Sequence, residues 1–389
     1  MSSSTRNRIL GFFGMLLAAA GIILVSVLLR KDKAESGAGA SDTVYGFAMG
    51  STVSVHLYGA DTDGTADEVI REVERLDEKV ISWRADSSEL AEWNRKASAG
   101  EEMRVSGELG TAVEKSLELS RKSGGSLDVT LRPVLEVWGI ETAKPEEFHV
   151  PTEEELRAAA EHTDLAEGAE RGRQAGTGKN RQESDSSSGE DVAAEEVIGC
   201  RSEEGDTYGL SRTREDITLD LGAVGKGYAL DAVYALLQEK EGTAGGVIAV
   251  GGSILVFGDK TEVGDFKIGI RDPEGLPEDI LGYITFSSGT KKQCVSTSGG
   301  YEKYIEKDGR RYHHIIDPAT LYPAESGLRS VTVVCEDGLL SDGLSTACFI
   351  LGEEKAKELL KEYGAEGVLI REDGSIYCTP GIEKQVVFR

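Results

Sequence analysis

From Ile9 to Leu29 the chain reads ILGFFGMLLAAAGIILVSVLL, and Ser26 is the only polar side chain in it. At about 1.5 Å per residue such a run, as a helix, spans about 30 Å, the hydrocarbon thickness of a bilayer. Arg6 and Arg8 precede it, and Arg30, Lys31 and Lys33 close it. A cleaved signal peptide has a shorter apolar core with small residues at its end, whereas Ala18 to Ala20 lie mid-run. The expectation is an uncleaved single-pass anchor over residues 1–30, with basic flanks that leave its orientation open, then a linker over 31–43. Lipidation is excluded, because the first cysteine is Cys200. The five cysteines are an odd number without paired spacing, so neither a disulfide framework nor a zinc site is indicated.

Lys and Arg number 43 against 69 Asp and Glu, a formal charge of −26. That balance argues against a nucleic-acid partner, and a polyphosphate ligand would need a lysine or a divalent cation beside it. Beyond the linker, FAMGSTVSVHLYG (47–59) alternates like a strand, and ADEVIREVERLDEKVISW (66–83) has helical apolar spacing. Residues 109–123 continue the helical pattern to Gly124-Gly125. Residues 163–195 are almost free of large apolar side chains, which predicts a disordered insertion that can be deleted without loss of folding. After it come strands at ITLDL, GGVIAVGGSILVFG, DFKIGI, LGYITF, RSVTVVC and GVLIRE, and helices over 227–240 and 341–362. The sum is one α+β domain over 44–389, mixed sheets with packed helices.

Three stretches carry candidate chemistry. DLGAVGKGYALD (220–231) fits neither a nucleotide P-loop nor a dinucleotide fingerprint. It runs into a helical pattern ending at Gly242, so it reads equally as an anion-binding helix start with Lys226 or as a tight turn with a solvated lysine. In SDGLSTACFILG, Ser341 has the position of a helix cap, and Asp342 and Thr346 lie one turn apart. Together they suit magnesium, which keeps few protein ligands. The alternative is that Asp342 complements the helix dipole and Thr346 bonds the preceding turn. In YHHIIDPATLYP, one of two adjacent histidines can relay a proton or simply bond Asp317.

Taken together, DLGAVGKGYALD, STSGGYEKY, HHIIDPATLYP and SDGLSTACFILG, preceded by FAMGSTVSVHLYG, SWRADSSELAEWN and SGGSLDVTLRPVLEVWG, resemble the FAD:protein FMN transferases of the ApbE family. The likeness runs in order from Phe47 to Gly352, interrupted by the insertion. It implies an enzyme that cleaves FAD with magnesium and joins FMN by a phosphoester bond to a threonine of a flavoprotein, releasing AMP. The acceptors implied are Rnf-type or NADH:quinone reductase subunits or related FMN-binding domains. It further implies a bacterial cytoplasmic-membrane protein whose catalytic domain is extracytoplasmic.

By the same resemblance Met49, Trp83, Ser126, Leu127, Asp128, Asp220, Lys226, His314 and Ile316 contact FAD, and the Ala223 carbonyl, Asp342, Ser345 and Thr346 form the metal site. Trp83 stands where tyrosine is common, Gly225 where alanine often precedes the lysine, Gly300 in place of an acid, and Leu321 in place of a glycine after the Asp-Pro turn. Lys226 would add fixed positive charge to the cation's. The proton of the acceptor hydroxyl would go to His314 or Asp220, and the residues do not choose between them. FAD pyrophosphatase activity and a membrane-tethered FAD store are the competing functions.

Overall fold

The computed structural model describes residues 43–389 apart from 61, 165–196, 261–263 and 277. The expected anchor, nearly all of the linker and all of the insertion except Thr163 and Asp164 lie outside these residues. Among the described residues no helix is long and apolar enough to cross a membrane. Thr163 is fully buried, and the Asp164 N–H donates to Thr130 Oγ1 at 2.8 Å, so these two belong to the fold.

In chain order the elements are β1 (Val44–Ala48), β2 (Ser51–Gly59), α1 (Asp63–Leu76), α2 (Glu89–Lys96), β3 (Glu102–Ser106), α3 (Gly107–Lys122), α4 (Arg132–Trp138) and α5 (Glu153–Ala160). Then follow β4 (Ile198–Glu203), β5 (Thr207–Arg212), α6 (Gly225–Gln238), β6 (Thr243–Val250), β7 (Ser253–Gly258), β8 (Phe266–Arg271), β9 (Ile280–Phe286) and β10 (Thr290–Gly299). The chain ends with β11 (Tyr304–Lys307), β12 (Arg310–His313), β13 (Leu328–Cys335), α7 (Gly338–Leu351), α8 (Glu353–Glu362), β14 (Glu366–Arg371), β15 (Ile376–Cys378) and β16 (Val386–Phe388). The α+β class holds, but contacts divide the chain into two compact units where the sequence suggests one domain.

The first unit comprises the residues up to Lys79, Gly222–Lys303 and Ala324–Arg389. Its main sheet has the order β1-β2-β6-β7-β10-β13-β14-β15, and a second runs β16-β9-β8. The strand alternation is real: Val53, Val55 and Leu57 of β2 are fully buried, each worth about 1.5–3 kcal/mol of burial. Ile268, Ile284, Val256, Val295 and Val368 join both sheets in one apolar cluster. Helix α7 is buried along most of its length, from Leu339 to Phe349, as expected for a helix apolar on several faces.

The helix expected over 341–362 is two helices, broken where Gly352 takes φ +76°. Ser341 is not the cap. Asp337 caps α7 by accepting from the Leu340 N–H, while the Ser341 hydroxyl donates to Gly338 O within the helix and bonds the Ser296 hydroxyl on β10. An Asp four residues earlier satisfies the same free N–H groups, so the Ser-Asp pair reads as a start only in isolation. Helix α6 likewise stops at Gln238, short of Gly242.

The second unit comprises Val80–Leu221 and Tyr304–Pro323. It holds the sheet β3-β5-β4 and the hairpin β11-β12. Trp138, Phe148, Leu156, Ile305, Tyr312 and Ile316 form its apolar cluster, with the Trp138 ring 5.7 Å from Tyr312.

Candidate active site

The glycine-rich stretch and the α7 start meet inside the first unit. Asp342 is 4% exposed, and each of its two oxygens has a hydrogen-bond donor. Oδ1 accepts from Ser253 Oγ at 3.0 Å, Oδ2 accepts from the Gly227 N–H at 3.0 Å, and Lys226 Nζ lies 3.5 Å from Oδ2. Gly227 is there for proximity. A Cβ on it would stand 1.9 Å from Gly338 O and 2.7 Å from Asp342 Cβ, so only glycine lets α6 approach α7 this closely. The motif's third glycine is thus a helix-contact residue, and Lys226 is an ion-pair partner rather than a solvated side chain.

Thr346 and Ser345 face a row of hydroxyls on the neighbouring strand. Ser298 Oγ lies 2.7 Å from Ser345 Oγ and 3.1 Å from Thr346 Oγ1. The Ser345 hydroxyl also donates to Asp342 O at 2.8 Å, so this buried side chain is spent on internal bonds. Ala223 sits in the turn leading into α6. The hydroxyl row continues through Ser296 and Ser341, and Ser296 is the register partner of Ser253.

Lys226 packs beside two tight turns. A Cβ on Gly251 would lie 3.4 Å from Lys226 Cδ and 2.9 Å from Ser51 Oγ. Ser51 follows the β1–β2 turn, in which Met49 takes φ +53° and Gly50 φ +65°. A positive φ at methionine is strained. Here the Met49 N–H donates to Asp77 Oδ2 at 2.6 Å, which holds the turn. Glu302 reaches the same region: a Cβ on Gly252 would lie 3.5 Å from its Oε1. Desolvation by surrounding protein raises the Glu302 pKa, opposed by Lys226, Arg271 and Lys303 and reinforced by Asp342, although the side chain also meets solvent.

The second unit gathers the other candidates. Asp128 Oδ1 accepts from the Thr130 N–H and hydroxyl, both at 2.7 Å, while Oδ2 is buried without a partner. Burial pushes the Asp128 pKa up to about 6 against the two Thr130 bonds. Ser126 Oγ is also buried and unpartnered, and Leu127 between them is 2% exposed. Asp220 lies alongside, its N–H donating to Val129 O at 2.7 Å. Trp83 has the Arg132 guanidinium 3.8 Å and that of Arg84 4.5 Å from its ring centroid, so arginines cover the ring.

His314 follows β12, and Ile316, 3% exposed, bridges to Pro323. Leu321 resolves the departure at the Asp-Pro turn. It adopts φ +65°, as a glycine would, its N–H donates to Asp317 O and its carbonyl accepts from Trp138 Nε1, both at 2.7 Å. The left-handed conformation costs a leucine about 1–2 kcal/mol, offset by those bonds. Asp77, Ser253, Ser298 and Glu302 are the residues that sequence reasoning missed. Ser298 and Glu302 stood inside a motif already singled out, STSGGYEKY, whereas Asp77 and Ser253 had no local signal.

The ApbE family profile matches residues 49–369. The chain is similar to the FAD:protein FMN transferase of Vibrio cholerae, 30% identical over 315 residues, 80% of this chain and 81% of that protein. It is 27% identical to the enzyme of that name from Escherichia coli over 372 residues, 95% of each. Among solved structures, the ApbE protein of Thermotoga maritima superposes with TM-score 0.69 at 26% identity, covering 88% of this chain and 98% of that one. The flavin transferase ApbE of Vibrio cholerae gives 0.68 at 25%, covering 89% and 99%.

Proposed function

Since the chain belongs to the ApbE family, we propose that it is a magnesium-dependent FAD:protein FMN transferase that joins FMN to a threonine of a flavoprotein acceptor and releases AMP. One observation supports this most: Lys226 of the glycine-rich stretch and Asp342 of α7, far apart in sequence, form one charged pair, the carboxylate buried and the lysine half-buried. The Asp342 carboxylate, the Thr346 hydroxyl and the Ala223 carbonyl are the groups that would hold the cation. Among the described residues no three His, Cys, Asp or Glu side chains gather as a metal site. The donors are hard oxygens with a single carboxylate, which fits a cation that keeps water and phosphate oxygens as ligands.

Bound there, magnesium would neutralise charge on the pyrophosphate. The remaining work falls to the chain. Ser253 and the Gly227 N–H hold Asp342 in one orientation. Lys226 supplies a positive charge that needs no reorganisation during phosphoryl transfer. Ser126 and Asp128 bring unsatisfied oxygens to FAD, whose hydroxyl or N–H donors would satisfy them. His314 or Asp220 takes the proton from the attacking threonine. The acceptor is an FMN-binding domain of the Rnf or NADH:quinone reductase type, reached outside the cytoplasmic membrane from a single-pass anchor.

Co-expression with an FMN-binding domain, followed by its mass, tests the activity. The expected result is an FMN adduct on one threonine of that domain. AMP without an adduct would make the chain a pyrophosphatase, and neither product would make it an FAD store. Reporter fusions after Arg389 test the topology, and an active cytoplasmic reporter with a silent external one would overturn it.

A further inference from the structure

Cys294 on β10 and Cys335 on β13 are direct register partners in the main sheet. Their side chains therefore leave the sheet on the same face, with Cβ atoms about 4.5–5.5 Å apart. Both are free thiols that lean the same way. Cys294 Sγ donates to Glu336 O at 3.8 Å and Cys335 Sγ to Asp337 O at 3.1 Å, adjacent carbonyls in the segment entering α7. A disulfide needs Cα atoms about 4.4–6.8 Å apart, and opposed residues of antiparallel strands lie at about 4.5 or 5.5 Å. The pair meets that Cα requirement, and closing the bond draws the two Cβ atoms in to about 3.5–4.5 Å.

Access differs between the two. Cys294 is fully buried. Cys335 is half-buried and lines a cavity of about 440 Å³, together with Gln293, Glu336, Asp337, Leu340 and Tyr363. We propose that Cys294 and Cys335 form an oxidisable dithiol, closed to a cross-strand disulfide by exchange with a small-molecule disulfide that enters this cavity.

In the first step the Cys335 thiolate attacks one sulfur of the external disulfide, breaking its S–S bond and releasing one external thiolate. In the second the Cys294 thiolate attacks the Cys335 sulfur and expels the other. The protein loses two protons and two electrons, and the external disulfide is reduced to two thiols. Burial pushes the Cys335 thiol up to about 12, against its bond to the Asp337 carbonyl, and raises that of Cys294; the Asp231 and Asp337 charges add to both rises and Lys292 opposes them. Exchange is therefore slow at neutral pH. The closed bond ties together the strands between which the chain departs for Tyr304–Pro323, the segment carrying His314.

The test uses the purified chain, oxidised glutathione under native conditions, an acid quench, alkylation in denaturant and peptide mapping. The reduced protein has five alkylatable cysteines. After oxidation three should remain, with one linked peptide joining Cys294 to Cys335 and a melting temperature about 5 °C or more higher, reversed by dithiothreitol. Cys294→Ser should instead trap a glutathione adduct on Cys335, and Cys335→Ser should leave Cys294 unmodified. Five alkylated cysteines after prolonged exposure, a lasting adduct on wild-type Cys335, or a link between any other pair would overturn the proposal.

Discussion

Asp342 in the first unit and Asp128 in the second are both enclosed by protein, and they are held in opposite ways. Asp342 has a donor on each oxygen and Lys226 beside it. Asp128 has both its bonds on Oδ1 and none on Oδ2. A buried oxygen without a donor costs about 1–3 kcal/mol. The protein thus completes the environment of one carboxylate and leaves the other deficient. The first arrangement fixes a charge in place before any ligand arrives. The second makes the binding of a donor-bearing ligand more favourable by the deficit it removes.

The largest effect expected from breaking this contrast is at Asp342. Asp342→Ala should lower AMP release from FAD by about a thousandfold or more, by analogy with other removed phosphoryl clamps. Thr346→Val, which removes one hydroxyl bonded to Ser298, should cost about tenfold. A D342A rate within tenfold of wild type would place the chemistry elsewhere.

Next comes Gly227→Ala, which leaves every ionisable group intact but puts a methyl 1.9 Å from Gly338 O. The helices must separate, and urea unfolding should show a loss of about 3 kcal/mol. Stability unchanged within 1 kcal/mol would mean that the α6–α7 contact yields easily and does not set the Asp342 geometry.

Asp128→Asn sharpens the contrast through pH. The folded-state pKa of Asp128 is raised to about 6, so its contribution to stability is present below about pH 4 and lost as pH rises through 6. Asparagine has no charged form to penalise. At pH 7 the variant should be more stable than wild type by up to about 3 kcal/mol, with the gap closing towards pH 4, while its FAD affinity falls. A gap independent of pH would remove the buried-charge account. The smallest effect belongs to the insertion in the second unit. Deleting residues 167–194 should move the melting temperature by less than about 2 °C, since loop length enters stability only logarithmically. A large drop would show that the segment packs on the unit.

Much of the fold was legible because burial imposes local periods. The alternation in β2 and the apolar spacing of α6 identify their elements without knowledge of partners. Helix ends were less legible, because a cap is a choice among competing donors and acceptors. Ser341 and Asp337 both offer one, and only the chain path shows that Asp337 takes it. The break at Gly352 was also hidden, since apolar residues on both sides continue at helical spacing.

The sequence by itself determined the kinds of groups present: a lysine between glycines, a carboxylate and hydroxyl one turn apart, a histidine before an Asp-Pro turn, and an acidic balance that makes cations necessary near phosphate. Only the tertiary structure decided what each of them faces. Lys226 meets Asp342 because two glycines, Gly227 and Gly338, let their helices touch. Asp128 is left one donor short because Thr130 turns both its donors to the same oxygen. Period and propensity are properties of neighbours along the chain. Pairing and deficit arise between residues that sequence separation does not relate, and are set by how closely backbones can approach.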